Sequence, residues 1–192
     1  MIIGITGGTG CGKTTALQAI RTLGGTVIDC DEVYHRLLEY DEAMLSRIAQ
    51  RFPGTVEDGV LNRKKLGSIV FSDADALLDL NKITHSAVKE AVLQMLPAFP
   101  SLVAIDAIGL FEGGLAELCD TTVAVTAPEK DRIARLMARE GISEEYARSR
   151  IAAQKPQSWF VEKCDHTLEN SDNIDAFATK CLAFFMELAI IE

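Results

Sequence analysis

The feature that most constrains this chain is its opening, MIIGITGGTGCGKTT. The β-branched residues Ile2, Ile3 and Ile5 predict a buried strand, and from Lys13 the apolar spacing turns helical through Ala16, Leu17 and Ile20. Between them, Gly7, four residues, Gly12, Lys13 and Thr14 complete a G-x-x-x-x-G-K-[ST] phosphate loop in its strand-to-helix setting. Glycines let successive backbone N–H groups turn inward around a triphosphate, because no Cβ blocks the turns or the close approach. The helix that follows directs the positive end of its dipole at the same phosphates. The motif therefore assigns Gly8, Thr9, Gly10, Cys11, Gly12, Lys13, Thr14 and Thr15 to a nucleoside triphosphate. Lys13 is expected on the β- and γ-phosphates and the Thr14 hydroxyl on Mg²⁺.

A chain of 192 residues suits an α/β domain with inserted subdomains. Its net charge of −9 argues against nucleic acid as a partner, which would call for a basic patch or stripe. An anionic small molecule stays compatible with that charge, since local arginines and Mg²⁺ can reverse the field in a cleft. Cys11, Cys30, Cys119, Cys164 and Cys181 are odd in number and scattered, which fits reduced thiols in a cytoplasm. Cys11 stands at a helix N-terminus, where a thiol pKa can fall, or serves simply as a small residue. The N-terminal strand belongs to the phosphate loop, so no cleavable leader is expected there. The longest apolar stretch, Cys181 to Ile191, contains Glu187 and is too short to cross a membrane.

After the loop helix, Thr26 to Asp31 predicts a second strand carrying Asp29 and Asp31 at its carboxyl end, where ligands of open parallel sheets bind. Two carboxylates at spacing two suit a general base poised to take a hydroxyl proton, and Asp31, furthest past the strand, is the candidate. One of the pair can instead cap a helix beginning at Glu32. From Val33 to Leu96 the pattern is almost wholly helical: Leu66, Ile69 and Val70, then Leu77, Leu80, Ile83, Val88 and Val92. That exceeds a single crossover and predicts an inserted subdomain for the acceptor. Within it Asn81 and His85 share a helix face.

Pro97 and Pro100 close the block, and residues 102 to 106 form a third strand ending in Asp106, suited to orienting Mg²⁺ or its water. Thr121 to Val125 is a fourth strand and His166 to Glu169 the last, followed by a helix over 174 to 190. Arg132, Arg135 and Arg139 line one helix face, Gly141 interrupts, Ser143 can cap a new helix, and Arg148 and Arg150 follow. Such a run is either a solvated face or a lid that neutralises a transferring phosphoryl group, with Arg139 nearest the phosphate.

Together these stretches resemble the dephospho-CoA kinases of coenzyme A synthesis. The family's GGIGSGKS-like loop is met by GGTGCGKTT and its V-I-D-A-D by Val27-Ile28-Asp29-Cys30-Asp31. Its D-G-x-L-x-R-x-x-L-x-x-x-V-F is met by Asp58, Gly59, Leu61, Arg63, Leu66, Val70 and Phe71. Leu80, Asn81, Ile83 and His85 match L-N-x-I-x-H-P; Arg135, Arg139, Gly141, Ser143, Arg150, Ile151 and Gln154 match the lid pattern. Leu168 and Asn170 match the closing I-x-N. The chain departs from the family at Ile108, where D-x-P-L-L-F-E has proline, at Ser86, and at Arg132, usually glutamine.

The resemblance implies a three-layer α/β/α phosphate-loop kinase fold with a five-stranded parallel sheet. Residues 1–32 and 98–192 would form the nucleotide-binding core, 33–97 a helical acceptor (CoA-binding) subdomain and 132–156 a lid. It implies transfer of the ATP γ-phosphoryl group to the ribose 3′-hydroxyl of dephospho-CoA. Asp31 would be the base, with Lys13 and Arg139 also catalytic. Asn170 would join the ATP site, and Asp31, Arg63, Asn81, His85 and Asp106 the acceptor site. Mg²⁺ would sit on Thr14, with Asp31 or Asp106 directly or through water.

Two rivals remain: another phosphate-loop kinase, for a nucleoside, nucleotide or sugar, and a non-catalytic nucleotide-dependent switch. A GTPase switch needs N-K-x-D after a strand, whereas Asn81-Lys82-Ile83-Thr84 lacks the Asp and lies in a predicted helix.

Overall fold

The computed structural model describes residues 1–98, 101–171 and 173–190; Pro100 and Ile191 lie outside them. The chain opens with β1 (Ile2–Thr6), α1 (Lys13–Thr22) and β2 (Thr26–Asp29). A helical block follows: α2 (Cys30–Tyr40), α3 (Glu42–Arg51), the hairpin β3 (Val56–Glu57) and β4 (Val60–Leu61), α4 (Arg63–Val70) and α5 (Ala74–Met95). The remainder is β5 (Val103–Asp106), a 3-10 turn at Leu115–Leu118, β6 (Thr121–Thr126), α6 (Glu129–Glu140), α7 (Glu144–Ala152), α8 (Gln157–Lys163), β7 (His166–Glu169) and α9 (Ile174–Ile190).

Among the described residues five strands form a parallel sheet in the order β2-β5-β1-β6-β7, with helices on both sides. β1 is central: Ile3 pairs with Ala104 of β5 on one side and Thr121 of β6 on the other. A strand buried on both faces reads as a continuous apolar run, which is why IIGIT carries no polar alternation. Ile3 and Ile5 join Val123, Val125 and Leu168 beneath Ala16, Leu17 and Ile20 of α1 and Phe177, Cys181 and Phe185 of α9. Each large side chain withdrawn there contributes roughly 1.5–3 kcal/mol. Leu110 and Cys119 cover the opposite face of β1 at Gly4.

The chain divides into two compact units, one of Met1–Ile28, Pro97–Leu110 and Leu115–Glu192, the other of Asp29–Leu96 with Phe111–Gly114. The second unit has its own core, built from Leu38, Met44, Ile48, Phe52, Leu66, Val70, Ala76, Leu80 and Ala87. Its helices start where short polar side chains take the first backbone N–H groups. Asp41 accepts from Met44, Asn62 from Lys65, and Asp73 from Asp75 and Ala76. Caps of this kind are worth about 1 kcal/mol each.

Three local expectations are corrected. β2 stops at Asp29 rather than Asp31, because the Asp29 carboxylate turns back to cap α2. The helical block contains the β3–β4 hairpin, whose turn at Asp58-Gly59 holds both residues at positive φ. On α5 the buried stripe runs through Ala76 and Leu80, while Leu77 is exposed. Small Ala76 allows a close helix approach that a count of large apolar residues does not register.

Candidate active site

The phosphate loop leaves the end of β1 and enters α1 with Gly12 as its N-cap, at φ 99°. Gly10 sits at φ 77°, so both glycines occupy the left-handed region that other residues avoid. A Cβ on Gly12 would strike the Asn170 carboxamide, and one on Gly10 would lie 2.8 Å from the Arg132 carbonyl oxygen. Lys13 curls over the loop, its Nζ donating to the Gly7 carbonyl at 3.2 Å. Thr14 is exposed on the first turn of α1.

Side chains far along the chain hold this loop. Arg132 Nε donates to Thr9 O at 2.9 Å, and Arg135 Nη1 to Gly10 O at 3.2 Å. Asn170 Nδ2 donates to Cys11 O at 2.9 Å, while its Oδ1 accepts from Arg135 at 3.2 Å. The Thr9 N–H donates to Gln154 Oε1 at 2.8 Å. Asn170, expected on ATP, thus spends both ends of its carboxamide on the protein. Arg132 and Gln154 also line a cavity of about 430 Å³ with Lys155, Pro156 and Gln157.

Arg139, expected nearest the phosphate, lies two turns beyond Arg132 on α6, about 10 Å along the axis. Its guanidinium pairs with Glu140 at 2.6 Å, and Glu140 also meets Arg150. The hydrogen bond from Arg139, helped by the charge of Arg150, holds the Glu140 carboxyl below its ordinary range. The three arginines do share a face, as their spacing predicts, but it divides between loop-holding and a solvent-side ion cluster. The Ser143 hydroxyl caps α7 by accepting from Tyr146 N–H.

Asp29 and Asp31 differ in role. Asp29 Oδ1 accepts from the N–H groups of Asp31 and Glu32, so the first carboxylate is the α2 cap. Asp31 falls in the first helical turn, exposed, and its backbone carbonyl bonds His35 Nδ1 at 2.7 Å. Tyr34 stands one turn along the same face. Burial pushes the Tyr34 phenol up, opposed by the charge of Arg63, the first residue of α4.

Asn81 and His85 lie four apart on α5, as their spacing predicts. His85 Nδ1 bonds the Glu112 carbonyl at 3.1 Å. A carbonyl only accepts, so Nδ1 carries the proton and a neutral ring offers Nε2 as an acceptor. A cavity of about 720 Å³ on this unit is lined by Val33, Arg36, Leu37, Tyr40, Met95 and neighbours. It includes none of Asp31, Arg63, Asn81 or His85.

Asp106 ends β5 beside Ile5. The segment that departs from the family here is anchored to β1: Ala107 N–H donates to Ile5 O, and the Thr6 hydroxyl to Ile108 O. Ser86, in place of proline, sits within α5 and bonds Glu90 one turn on.

Cys11 is 1% exposed, and burial raises its pKa despite the opposing charges of Arg132 and Lys13. Its helix-terminal position does not activate it, because desolvation of the thiolate outweighs both cations. Burial likewise pushes Cys119 up to about 12, and Cys164 and Cys181 up to about 11. Among the described residues no disulfide joins Cys11, Cys30, Cys119, Cys164 or Cys181. At pH 8, iodoacetamide should therefore leave Cys11 unlabelled in the native protein and label it fully in urea. Peptide mass mapping reads this, and rapid native labelling of Cys11 would contradict the burial.

Sequence reasoning missed the grip of Arg132, Arg135 and Gln154 on the loop. The arginine spacing and the glutamine after α7 were visible, but no local signal couples them to residues 9 and 10.

A family model described as dephospho-CoA kinase matches residues 1–176. A dephospho-CoA kinase from Syntrophotalea carbinolica is 34% identical over 194 residues, covering 98% of this chain and 92% of that protein. The crystal structure of a Thermus thermophilus protein aligns with TM-score 0.79 at 33% identity, covering 98% of this chain and 97% of that one. A dephospho-CoA kinase from Campylobacter jejuni aligns with TM-score 0.70 at 24% identity, covering 97% and 96%, and supports the fold alone.

Proposed function

The chain belongs to the dephospho-CoA kinase family and transfers phosphate from ATP to dephospho-CoA, and we propose that the acceptor's ribose 3′-hydroxyl attacks the γ-phosphorus directly. A bond forms from the 3′-oxygen to phosphorus, and the bond from phosphorus to the β,γ-bridging oxygen breaks. The hydroxyl proton passes to the Asp31 carboxylate, and ADP and coenzyme A leave. The observation that carries this reading is the family match over residues 1–176, which takes in both the phosphate loop and the acceptor residues.

Phosphoryl transfer asks a protein mainly for positioning and charge. Lys13 would exchange the Gly7 carbonyl for the β- and γ-phosphates. Arg139 would reach phosphate by exchanging Glu140, which makes its service conditional on movement of the α6–α7 region. Arg63, Asn81 and His85 would hold the acceptor, His85 through the Nε2 that its bond to Glu112 leaves as acceptor.

Among the described residues no group of three His, Cys, Asp or Glu forms a metal cage. Mg²⁺ needs none, since it commonly takes one or two protein oxygens and completes its shell with phosphate and water. The exposed Thr14 hydroxyl, with Asp31 or Asp106 directly or through water, fits that donor set. When bound, the ion would supply positive charge to offset the charge that develops during transfer.

Among the described residues no helix is long and apolar enough to cross a membrane. The odd number and scatter of the cysteines support a cytoplasmic enzyme. ADP release from Mg-ATP tests the function, measured alone and with dephospho-CoA, adenosine, AMP or simple sugars. Dephospho-CoA should stimulate release and yield coenzyme A. Stimulation by another acceptor instead would move the substrate assignment to the rival kinases.

A further inference from the structure

We propose that Arg132, Arg135 and Asn170 are positioning residues that set the phosphate loop in its anion-receiving conformation by drawing three consecutive carbonyls outward. This rests on the reading that the loop holds the phosphates of ATP. Thr9 O, Gly10 O and Cys11 O accept, in order, from Arg132 at 2.9 Å, Arg135 at 3.2 Å and Asn170 at 2.9 Å. In a trans peptide the C=O of one residue and the N–H of the next point in opposite directions. Outward carbonyls at Thr9 and Cys11 therefore aim the N–H groups of Gly10 and Gly12 toward the inner side, where phosphate would sit, while the Cys11 N–H closes the loop on itself by donating to Gly8 O at 3.3 Å.

Glycine peptides rotate at little cost, so nothing intrinsic to Gly10 or Gly12 prevents the reverse orientation. An inward carbonyl would repel a phosphate, and the outer donors remove that alternative. Gln154 fixes the preceding peptide by accepting from Thr9 N–H at 2.8 Å. Arg132 is 6% exposed, and its hydrogen bond goes to a carbonyl rather than a carboxylate. Its charge is therefore left beside the loop, where an anion is to bind. A buried guanidinium so placed is costly without a counter-charge, and a bound phosphate would supply one.

The test is metal-free ADP binding by calorimetry, alongside steady-state kinetics, for wild type, Arg132→Met and Arg132→Gln. Met keeps the approximate bulk without a donor; Gln keeps a donor without the charge. Arg132→Met should weaken ADP binding about tenfold or more, as loss of a charged hydrogen bond implies. The KM for ATP should rise in parallel while the KM for dephospho-CoA stays unchanged, and Arg132→Gln should recover part of the loss.

ADP affinity within twofold of wild type in Arg132→Met overturns the proposal. So does an equal rise in both KM values with a matching fall in thermal stability, which marks a merely structural role. Should Arg132→Met not fold, Arg132→Gln decides alone, and unchanged ADP affinity there overturns the proposal. If wild type transfers nothing to dephospho-CoA, the functional reading fails, while the ADP titration still judges the loop.

Discussion

Replacing Asp31 by asparagine should leave ATP binding intact and lower kcat by about 10²–10⁴-fold, the usual share of a general base. The substitution preserves shape and removes the negative charge, and with it the capacity to take a proton. It should not disturb α2, because the cap is Asp29, whose carboxylate accepts from the N–H groups of Asp31 and Glu32. Asp31 itself uses its backbone, donating N–H to Asp29 and accepting from His35 at its carbonyl. Asp29→Asn is the matched control. Asparagine caps as well as aspartate, so stability and turnover should both hold. The measurement is single-turnover phosphoryl transfer at saturating ATP, with ATP binding followed separately. Near wild-type rates in Asp31→Asn would remove the base assignment. The reverse pattern, with Asp29→Asn inactive and Asp31→Asn active, would move the role by two residues.

Lys13→Met should lower kcat/KM for ATP by about 10³-fold, the upper range for removing one pre-aimed donor from a developing charge. The effect belongs to the nucleotide-bound state. In this structure Nζ makes a 3.2 Å bond to Gly7 O, a modest contact that contributes about 1 kcal/mol at most. The melting temperature should accordingly move little while activity collapses, and that contrast identifies a catalytic charge. Lys13→Arg should not rescue, since a planar fork cannot replace a compact ammonium inside the loop. Activity within tenfold of wild type in Lys13→Met would overturn the role.

The parts legible in the sequence were those whose information is local. The loop announces itself because glycine spacing, the preceding strand and the following helix occupy fifteen consecutive residues. The last helix was placed at its observed bounds, Ile174–Ile190, because seventeen residues of apolar periodicity dominate any local signal. The Asp29/Asp31 pair was read as lying at the active end of β2, but which carboxylate caps depends on where the strand yields to the helix. One residue of backbone decides that, and the two residue types are identical.

The arginines of α6 show the limit most clearly. Their spacing determined that Arg132, Arg135 and Arg139 share a helix face, and it gave no means of ranking them by distance to the loop. The tertiary structure decided it: Arg132 and Arg135 meet Thr9 and Gly10 across more than 120 positions of chain, while Arg139 is held by Glu140. Periodicity reports which side of an element a residue lies on, because it follows from backbone geometry alone. It does not report what packs against that side, which the order of strands in the sheet and the return of Asn170 beneath the loop settle together. The sequence by itself thus determined the phosphate loop and the family, and it supplied the base and the acceptor helix that we propose. Only the folded chain decided which distant side chains hold that loop open to an anion.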